Sequence, residues 1–180
     1  MKKNFTIAAV AMLAVALWGT MGRADQRLPS PADSSGIEEK VRHELVTLPF
    51  YSVYDDLNYT VMGDTVTITG QVTRPTLRSD AEAVVKRVAR ISTVINQIEV
   101  LPLSPSDDYI RWAAYRTLFN YNSPLFRYGL GGDPNIHIIV KNGHVTLKGV
   151  VSNASDRQIA TVYVKQVFGV FSVTNDLSVV

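Results

Sequence analysis

The chain contains the same 45-residue pattern twice, without gaps, at a constant offset of 79 positions. Residues 57–101 align with residues 136–180, so that Gly70 falls on Gly149 and Asn96 falls on Asn175. This period exceeds the roughly 20 to 50 residues of solenoid and propeller repeats. Each copy is long enough to form a core of its own. The sequence therefore predicts two consecutive copies of one small domain.

The first 24 residues have the features of a secretory signal peptide. Lys2 and Lys3 precede an apolar run over residues 5–18, and Gly22-Arg23-Ala24 provides a small-x-small cleavage site. The run is shorter than the about 20 apolar residues that span a bilayer, so a retained anchor is the alternative. We expect export to the periplasm with cleavage after Ala24, followed by a flexible leader over residues 25–36.

Composition narrows the choice of partners and chemistry. The chain has no cysteine, which removes disulfides, thiolate metal sites and lipidated cysteine. Without residues 1–24 it keeps 15 basic against 16 acidic residues, a formal charge of −1. Nucleic acid binding needs a concentrated basic surface, so no nucleic acid partner is predicted.

Each copy shows the same succession of apolar periods. In the second copy, apolar residues alternate on both sides of Asn142-Gly143, which predicts a β-hairpin. In the first copy, Gly63-Asp64 takes the turn positions and suits a type II′ turn. An amphipathic helix and a closing strand follow each hairpin, and another helix precedes it.

The predicted fold class is α+β, with the order αββαβ twice. Each domain is a three-stranded sheet with two helices on one face. The predicted domains span residues 37–101 and 107–180, joined by a short proline-stiffened linker over residues 102–106.

Several motif residues are predicted to have structural roles. Gly70 and Gly149 mark a close backbone approach or a bulge. Asn96 and Asn175 share the inward phase of their strands, where an amide is expected to satisfy backbone groups.

These residues resemble the BON domain, named for bacterial osmotically induced and nodulation proteins. The resemblance is carried by the V-T-[IL]-x-G-x-V arm at residues 66–72 and 145–151 and by G-V-x-x-V-x-N-x-[LIV]-x-V at residues 169–179. The first copy departs from this pattern, because Arg90 stands where the second copy has Gly169. The resemblance implies an envelope protein that is not an enzyme and has no catalytic residues. It also implies phospholipid association, envelope maintenance under stress, or the holding of other proteins.

The two hairpin histidines are the obvious candidates for a metal pair. The predicted register places His137 opposite Lys148 and His144 opposite Lys141, so the histidines are roughly 13 Å apart at about 3.4 Å per residue. They cannot share one ion, and no metal or cofactor is predicted. We expect a solvent-exposed strand face, with a weak surface for anions or lipid headgroups as the alternative. No nucleophile motif accompanies either histidine, so no enzyme is predicted.

The two repeats differ on the first helix of the second copy. Trp112, Tyr115 and Phe119 cluster opposite its core stripe, where the first copy has Glu39, Arg42 and Val46. The predicted lipid- or partner-binding surface combines these three aromatics with four nearby residues: Phe126, Tyr128, Lys141 and Lys148. This surface could be covered by the other repeat, another subunit, a client protein or lipid.

The functional prediction is a non-catalytic exported protein that associates with phospholipid surfaces and supports envelope integrity or the response to stress. The alternative is a periplasmic chaperone or scaffold that holds client proteins. The oligomeric state is left open by the sequence.

Overall fold

The computed structural model describes residues 31–130 and 134–180. The predicted signal peptide, its cleavage site and residues 25–30 of the predicted leader lie outside the described residues. Within the described part, no helix is both long enough and apolar enough to cross a membrane.

The predicted order αββαβ occurs twice. The first domain consists of α1 (Pro31–Val46), β1 (Asp56–Met62), β2 (Thr65–Val72), α2 (Pro75–Val85) and β3 (Thr93–Val100). The second consists of α3 (Pro105–Leu118), a 3₁₀ turn (Phe126–Gly129), β4 (Ile136–Lys141), β5 (His144–Val151), α4 (Ala154–Lys165) and β6 (Ser172–Val179). The predicted fold class is confirmed.

Two helices begin earlier than their predicted boundaries. Helix α1 begins at Pro31, inside the predicted leader, and α3 begins at Pro105, inside the predicted linker. Proline suits the first turn of a helix, because the N–H that it lacks would have no partner there. The Ser104 side chain also caps α3 by accepting a hydrogen bond from the Asp107 amide. The prolines thus start helices, whereas the sequence prediction had used them to mark a leader and a linker.

The two sheets have identical topology. In each, the middle strand, β2 or β5, pairs antiparallel with the preceding strand and parallel with the closing strand. A parallel neighbour requires a crossover, which α2 and α4 supply. The predicted register is confirmed, since His137 pairs with Lys148 and Lys141 with His144.

The hairpin turns differ as their sequences require. Asn142 and Gly143 both have positive φ, 52° and 76°, which is typical of a type I′ turn. Of the two turn residues in the first domain, Gly63 and Asp64, only Gly63 has positive φ (65°), as a type II′ turn requires.

The two sheets have the same shape, and in each it depends on a glycine in the middle strand. Gly70 and Gly149 have φ of 120° and 117°, a region that side chains rarely adopt. A Cβ atom at Gly149 would overlap the carbonyl oxygen of Asn135, and one at Gly70 would overlap that of Asp56. Close backbone approach therefore excludes a side chain at both positions.

The inward asparagines join each closing strand to the preceding helix. Asn96 Nδ2 donates to the carbonyl oxygen of Arg78 (2.8 Å), and its Oδ1 accepts from the Ile98 amide (3.1 Å). Asn175 Nδ2 donates to the carbonyl oxygen of Arg157 (2.6 Å). Each amide thus links a backbone carbonyl of the helix to the closing strand.

The turns that lead into the closing strands also correspond. Gly169 has φ of 88°, and Arg90, at the equivalent position, has φ of 73°. The arginine adopts the left-handed conformation that the repeat requires, at the energetic cost that a non-glycine residue carries there.

The first domain also contributes to the core of the second. Val53, in the segment between α1 and β1, belongs to the buried cluster that includes Leu118 and Ile138. Its carbonyl oxygen accepts a hydrogen bond from the Ile138 amide (2.7 Å), on the outer edge of β4. Tyr54 packs against the same cluster. The two domains are therefore joined through a shared core as well as by the chain.

Candidate lipid- or partner-binding surface

The outer face of α3 is only partly free. Trp112 is 52 % exposed and Tyr115 is 38 % exposed. The Tyr115 ring lies edge-on to Tyr54 of the first domain, with centroids 6.3 Å apart. The guanidinium of Arg116 covers one face of the Trp112 ring, 4.6 Å from its centroid. The first domain and a stacked cation thus cover part of the predicted binding surface.

Phe119 is not part of an external surface. It is 6 % exposed and belongs to the core of the second domain. Helix α3 ends at Leu118, and Phe119 has non-helical φ and ψ of −113° and 23°. The projection of about 100° per residue therefore fails at this position, and the ring turns inward. The expectation that Phe119 lies on an exposed face of α3 is wrong.

The loop aromatics also divide between core and surface. Tyr128 is 4 % exposed, and its hydroxyl donates to Asp156 (2.6 Å) and accepts from the Ser152 amide (2.9 Å). A buried tyrosine with these partners holds the loop to the start of α4, so the expectation that Tyr128 lies on an exposed surface is wrong. Phe126 is half-buried, and its ring lies 5.7 Å from that of the exposed Tyr121.

The two lysines connect the domains. Lys141 Nζ lies 2.5 Å from Glu99, and the hydrogen bond from this lysine holds the pKa of the Glu99 carboxyl below its ordinary value. Lys148 Nζ donates to Asp56 (2.7 Å) and Gln71 (2.9 Å). Both acids belong to the first domain, so Lys148 is partly covered by that domain, whereas Lys141 remains half-exposed.

The rest of this strand face is covered as well. His137 is 9 % exposed, with its ring 5.9 Å from Tyr51, and Ile139 is 5 % exposed. The expectation of a solvent-exposed face is therefore wrong at these positions. The first domain covers much of the helix-free side of the second sheet, and of the two hairpin histidines only His144 is exposed.

The sequence prediction missed a different apolar surface, at the end of the second domain where α3 begins and α4 ends. We call it the aromatic edge and define it by Leu103, Tyr109, Phe168 and Phe171, which are 92, 50, 84 and 78 % exposed. Three of these residues border a groove of about 810 Å³, with Ile110 on its wall. Exposed apolar side chains grouped in this way mark interaction sites.

The local sequence explains how the rings come together. Phe168 and Phe171 flank Gly169, whose left-handed backbone turns the chain from α4 into β6. The Phe171 ring lies over Gly143 at the tip of the β4–β5 hairpin, so close that a Cβ atom there would be 2.5 Å from the ring. The type I′ turn thus provides the space for this ring.

Only the second repeat carries these rings. At the offset of 79, Phe168 corresponds to Ala89 and Phe171 to Ser92. This difference between the repeats is a signal in the sequence, but it lies outside the helix and the long loop on which the predicted surface is based.

Two other exposed aromatics, Phe50 and Trp112, are shielded by cations. Arg74 stacks on Phe50 at 4.7 Å, as Arg116 does on Trp112. Among the described residues, no cation is found stacked on Phe168 or Phe171. Phe168 and Phe171 are therefore large, wholly apolar rings that remain exposed without a stacked cation, and this makes them the strongest candidates for a binding role.

Solved structures that are similar to this chain include two from the type III secretion system of Chlamydia trachomatis. The first, of the structural protein CdsD, is 11 % identical and covers 81 % of this chain and 92 % of that chain, with a TM-score of 0.32. The second, the C-terminal domain of CdsD, is 13 % identical and covers 79 % and 96 %, with a TM-score of 0.28. Among curated proteins, none gives a significant match.

The family comparison agrees with the repeated architecture. The model of the BON domain matches residues 33–102 and 126–180, which together make up more than half of the chain. The two matched segments contain the two three-stranded sheets and both glycine-containing middle strands. The chain therefore belongs to the BON domain family, with two copies of the domain.

Proposed function

We propose that this chain is a non-catalytic exported protein that associates with phospholipid surfaces through the aromatic edge of its second domain, and that it supports envelope integrity under stress. The observation that carries the proposal is the pair of exposed rings, Phe168 and Phe171, which lie beside an apolar groove without a stacked arginine or lysine among the described residues. Membership of a family whose domains are generally binding modules supports the same assignment.

The energetics fit reversible docking. Burial of an exposed phenylalanine side chain contributes about 1.5 to 3 kcal/mol, so two rings contribute about 3 to 6 kcal/mol before the costs of association. Leu103 adds a further exposed apolar side chain next to α3. This total is comparable to the marginal binding that a single acyl anchor provides.

The side chains at this edge also suit a bilayer interface. Tyr109 is half exposed and combines an apolar ring with a hydroxyl. Such side chains favour the boundary between acyl chains and headgroups, where the ring is buried and the hydroxyl stays in water. The arrangement places two phenylalanines for insertion and one tyrosine for the boundary.

The test is the double variant Phe168→Ala and Phe171→Ala, measured by flotation with vesicles of phosphatidylcholine and phosphatidylglycerol. Both side chains are exposed, so the melting temperature is expected to stay near that of the parent. Vesicle binding is expected to fall at least tenfold, since the lost burial exceeds the about 1.4 kcal/mol that corresponds to one decade.

Trp112→Ala is the matched control, because it removes an exposed ring of α3 that lies under a stacked arginine. Equal vesicle binding by the double variant and the parent would refute the proposal. If the double variant instead loses only suppression of client aggregation, the chaperone or scaffold function is the correct one.

Export is a separate part of the proposal, since it depends on residues 1–24. Intact-mass measurement of the periplasmic protein is expected to give a chain that begins at Asp25. A full-length product in the membrane fraction would indicate a retained anchor.

A further inference from the structure

His144 stands between the aromatic edge and the contact of the two domains. It begins β5 and pairs with Lys141 across the end of the hairpin. Its ring centroid lies 6.0 Å from that of Phe171, at an interplanar angle of 55°. Its Nδ1 lies 2.7 Å from the Ser172 hydroxyl. The imidazole is exposed, yet its orientation is set by two neighbours.

From this placement we propose that His144, with Lys141, forms a subsite for the phosphate group of the phospholipids that the aromatic edge meets, and that protonation of His144 strengthens docking. The inference rests on the proposed function and adds the headgroup chemistry and a dependence on pH. The ligand of this subsite is the phosphate group of a phospholipid, bound next to the Phe171 ring that enters the acyl region.

The imidazole chemistry matches this role. A neutral imidazole has one N–H donor, whereas the imidazolium donates through both nitrogens. With Nδ1 directed to Ser172, the protonated ring keeps the Nε2–H for an acceptor outside the protein. Histidine is the side chain whose ordinary titration falls in the mildly acidic range. A histidine side chain can therefore change its charge under conditions in which lysine and the phosphodiester of a phospholipid keep theirs.

The charged groups around His144 are already paired with one another. Glu99 pairs with Lys141, and the Asp107 carboxylate accepts the backbone amides of Asn142 and Gly143 at the hairpin tip. Further along the same face of β5, Lys148 pairs with Asp56 and lies opposite Asp176 of β6 in the register.

Within the described part of the chain, the charge gained at His144 has no acidic partner among these groups. An external phosphate can supply that partner, and half-exposed Lys141 lies next to the same position. One cationic residue near an anionic lipid surface changes affinity by about fivefold.

The experiment compares flotation of the parent and His144→Gln with phosphatidylcholine–phosphatidylglycerol vesicles at about pH 5.5 and about pH 7.5, on either side of the histidine titration. The parent is expected to bind about fivefold more tightly at the lower pH. His144→Gln is expected to bind equally at both values. His43→Gln removes an exposed histidine of α1 and is expected to keep the pH dependence. Thermal melts at both values of pH ensure that only folded protein is compared.

The outcomes separate this inference from the proposed function. Binding that requires Phe168 and Phe171 but does not change with pH, or a pH dependence that persists in His144→Gln, overturns the subsite and leaves the docking edge in place. No vesicle binding at either pH overturns both. An NMR titration with inorganic phosphate alone is expected to leave the His144 ring signals nearly unchanged. Shifts as large as those with vesicles would reassign the subsite to free phosphate.

Discussion

Replacement of Val53 by alanine tests whether the two domains share a core. Val53 lies in the first domain, is 9 % exposed and packs in the buried cluster of the second. The change removes two buried methyl groups at about 0.8 kcal/mol each, and the cavity left behind raises the cost to about 2 kcal/mol. The backbone hydrogen bond from Ile138 to the Val53 carbonyl oxygen is retained, so the change isolates side-chain packing.

The chain supplies its own probe for this experiment. Trp18 lies in the predicted signal peptide, so Trp112 on α3 is the only tryptophan that remains after the proposed cleavage. Its fluorescence reports unfolding of the second domain. We expect Val53→Ala to lower the midpoint of this transition by about 4 to 8 °C, since 1 kcal/mol shifts a chain of this size by about 2 to 4 °C.

Val150→Ala is the matched control, because Val150 is 41 % exposed on β5 and its truncation is expected to cost less than about 0.5 kcal/mol. An unchanged Trp112 transition in Val53→Ala would refute the shared core and show that the domains unfold independently.

Three further predictions concern stability. Gly149→Ala is expected to lower the free energy of unfolding, measured by chemical denaturation, by at least about 2 kcal/mol, because its Cβ atom would overlap the Asn135 carbonyl oxygen. The control Gly36→Ala has open space in α1 and should be neutral or stabilising. Equal losses of stability in the two variants would contradict this. Asn175→Ala is expected to cost about 1 to 2 kcal/mol by the same assay, because backbone groups of α4 and β6 lose their partner, and an unchanged stability would show that water replaces the amide. Lys141 holds the pKa of Glu99 below its ordinary value. This pair therefore stabilises the fold at pH values above the ordinary carboxyl pKa, and its contribution is lost as the pH falls through the lowered pKa. Glu99→Gln should therefore reduce the acid-induced loss of stability, and an identical pH profile would contradict this.

Local patterns predicted the fold because each repeat encodes its own elements. Period-two apolar positions around Asn142-Gly143 determine the hairpin and its register, and the two inward asparagines mark the closing strands. The helix starts at Pro31 and Pro105 were misread, since proline can either precede a helix or begin one.

The binding surface was harder to predict because it depends on contacts between distant residues. The helical projection placed Phe119 outside, since it assumed that α3 continues beyond Leu118. Lys148 pairs with Asp56, 92 positions away, and no local pattern contains that partner. Phe168 could have been found, because the same alignment that revealed the repeats places it on Ala89.

The most direct test of the central claim is the environment of position 168 when vesicles are added. The chain has no cysteine, so Phe168→Cys accepts a single environment-sensitive fluorophore such as NBD, and Ala89→Cys places the same label at the equivalent exposed position of the first domain. With phosphatidylcholine–phosphatidylglycerol vesicles, the label at position 168 is expected to shift to the blue and brighten, while the label at position 89 stays unchanged. The same response at both positions, or none at position 168, would contradict docking through the aromatic edge.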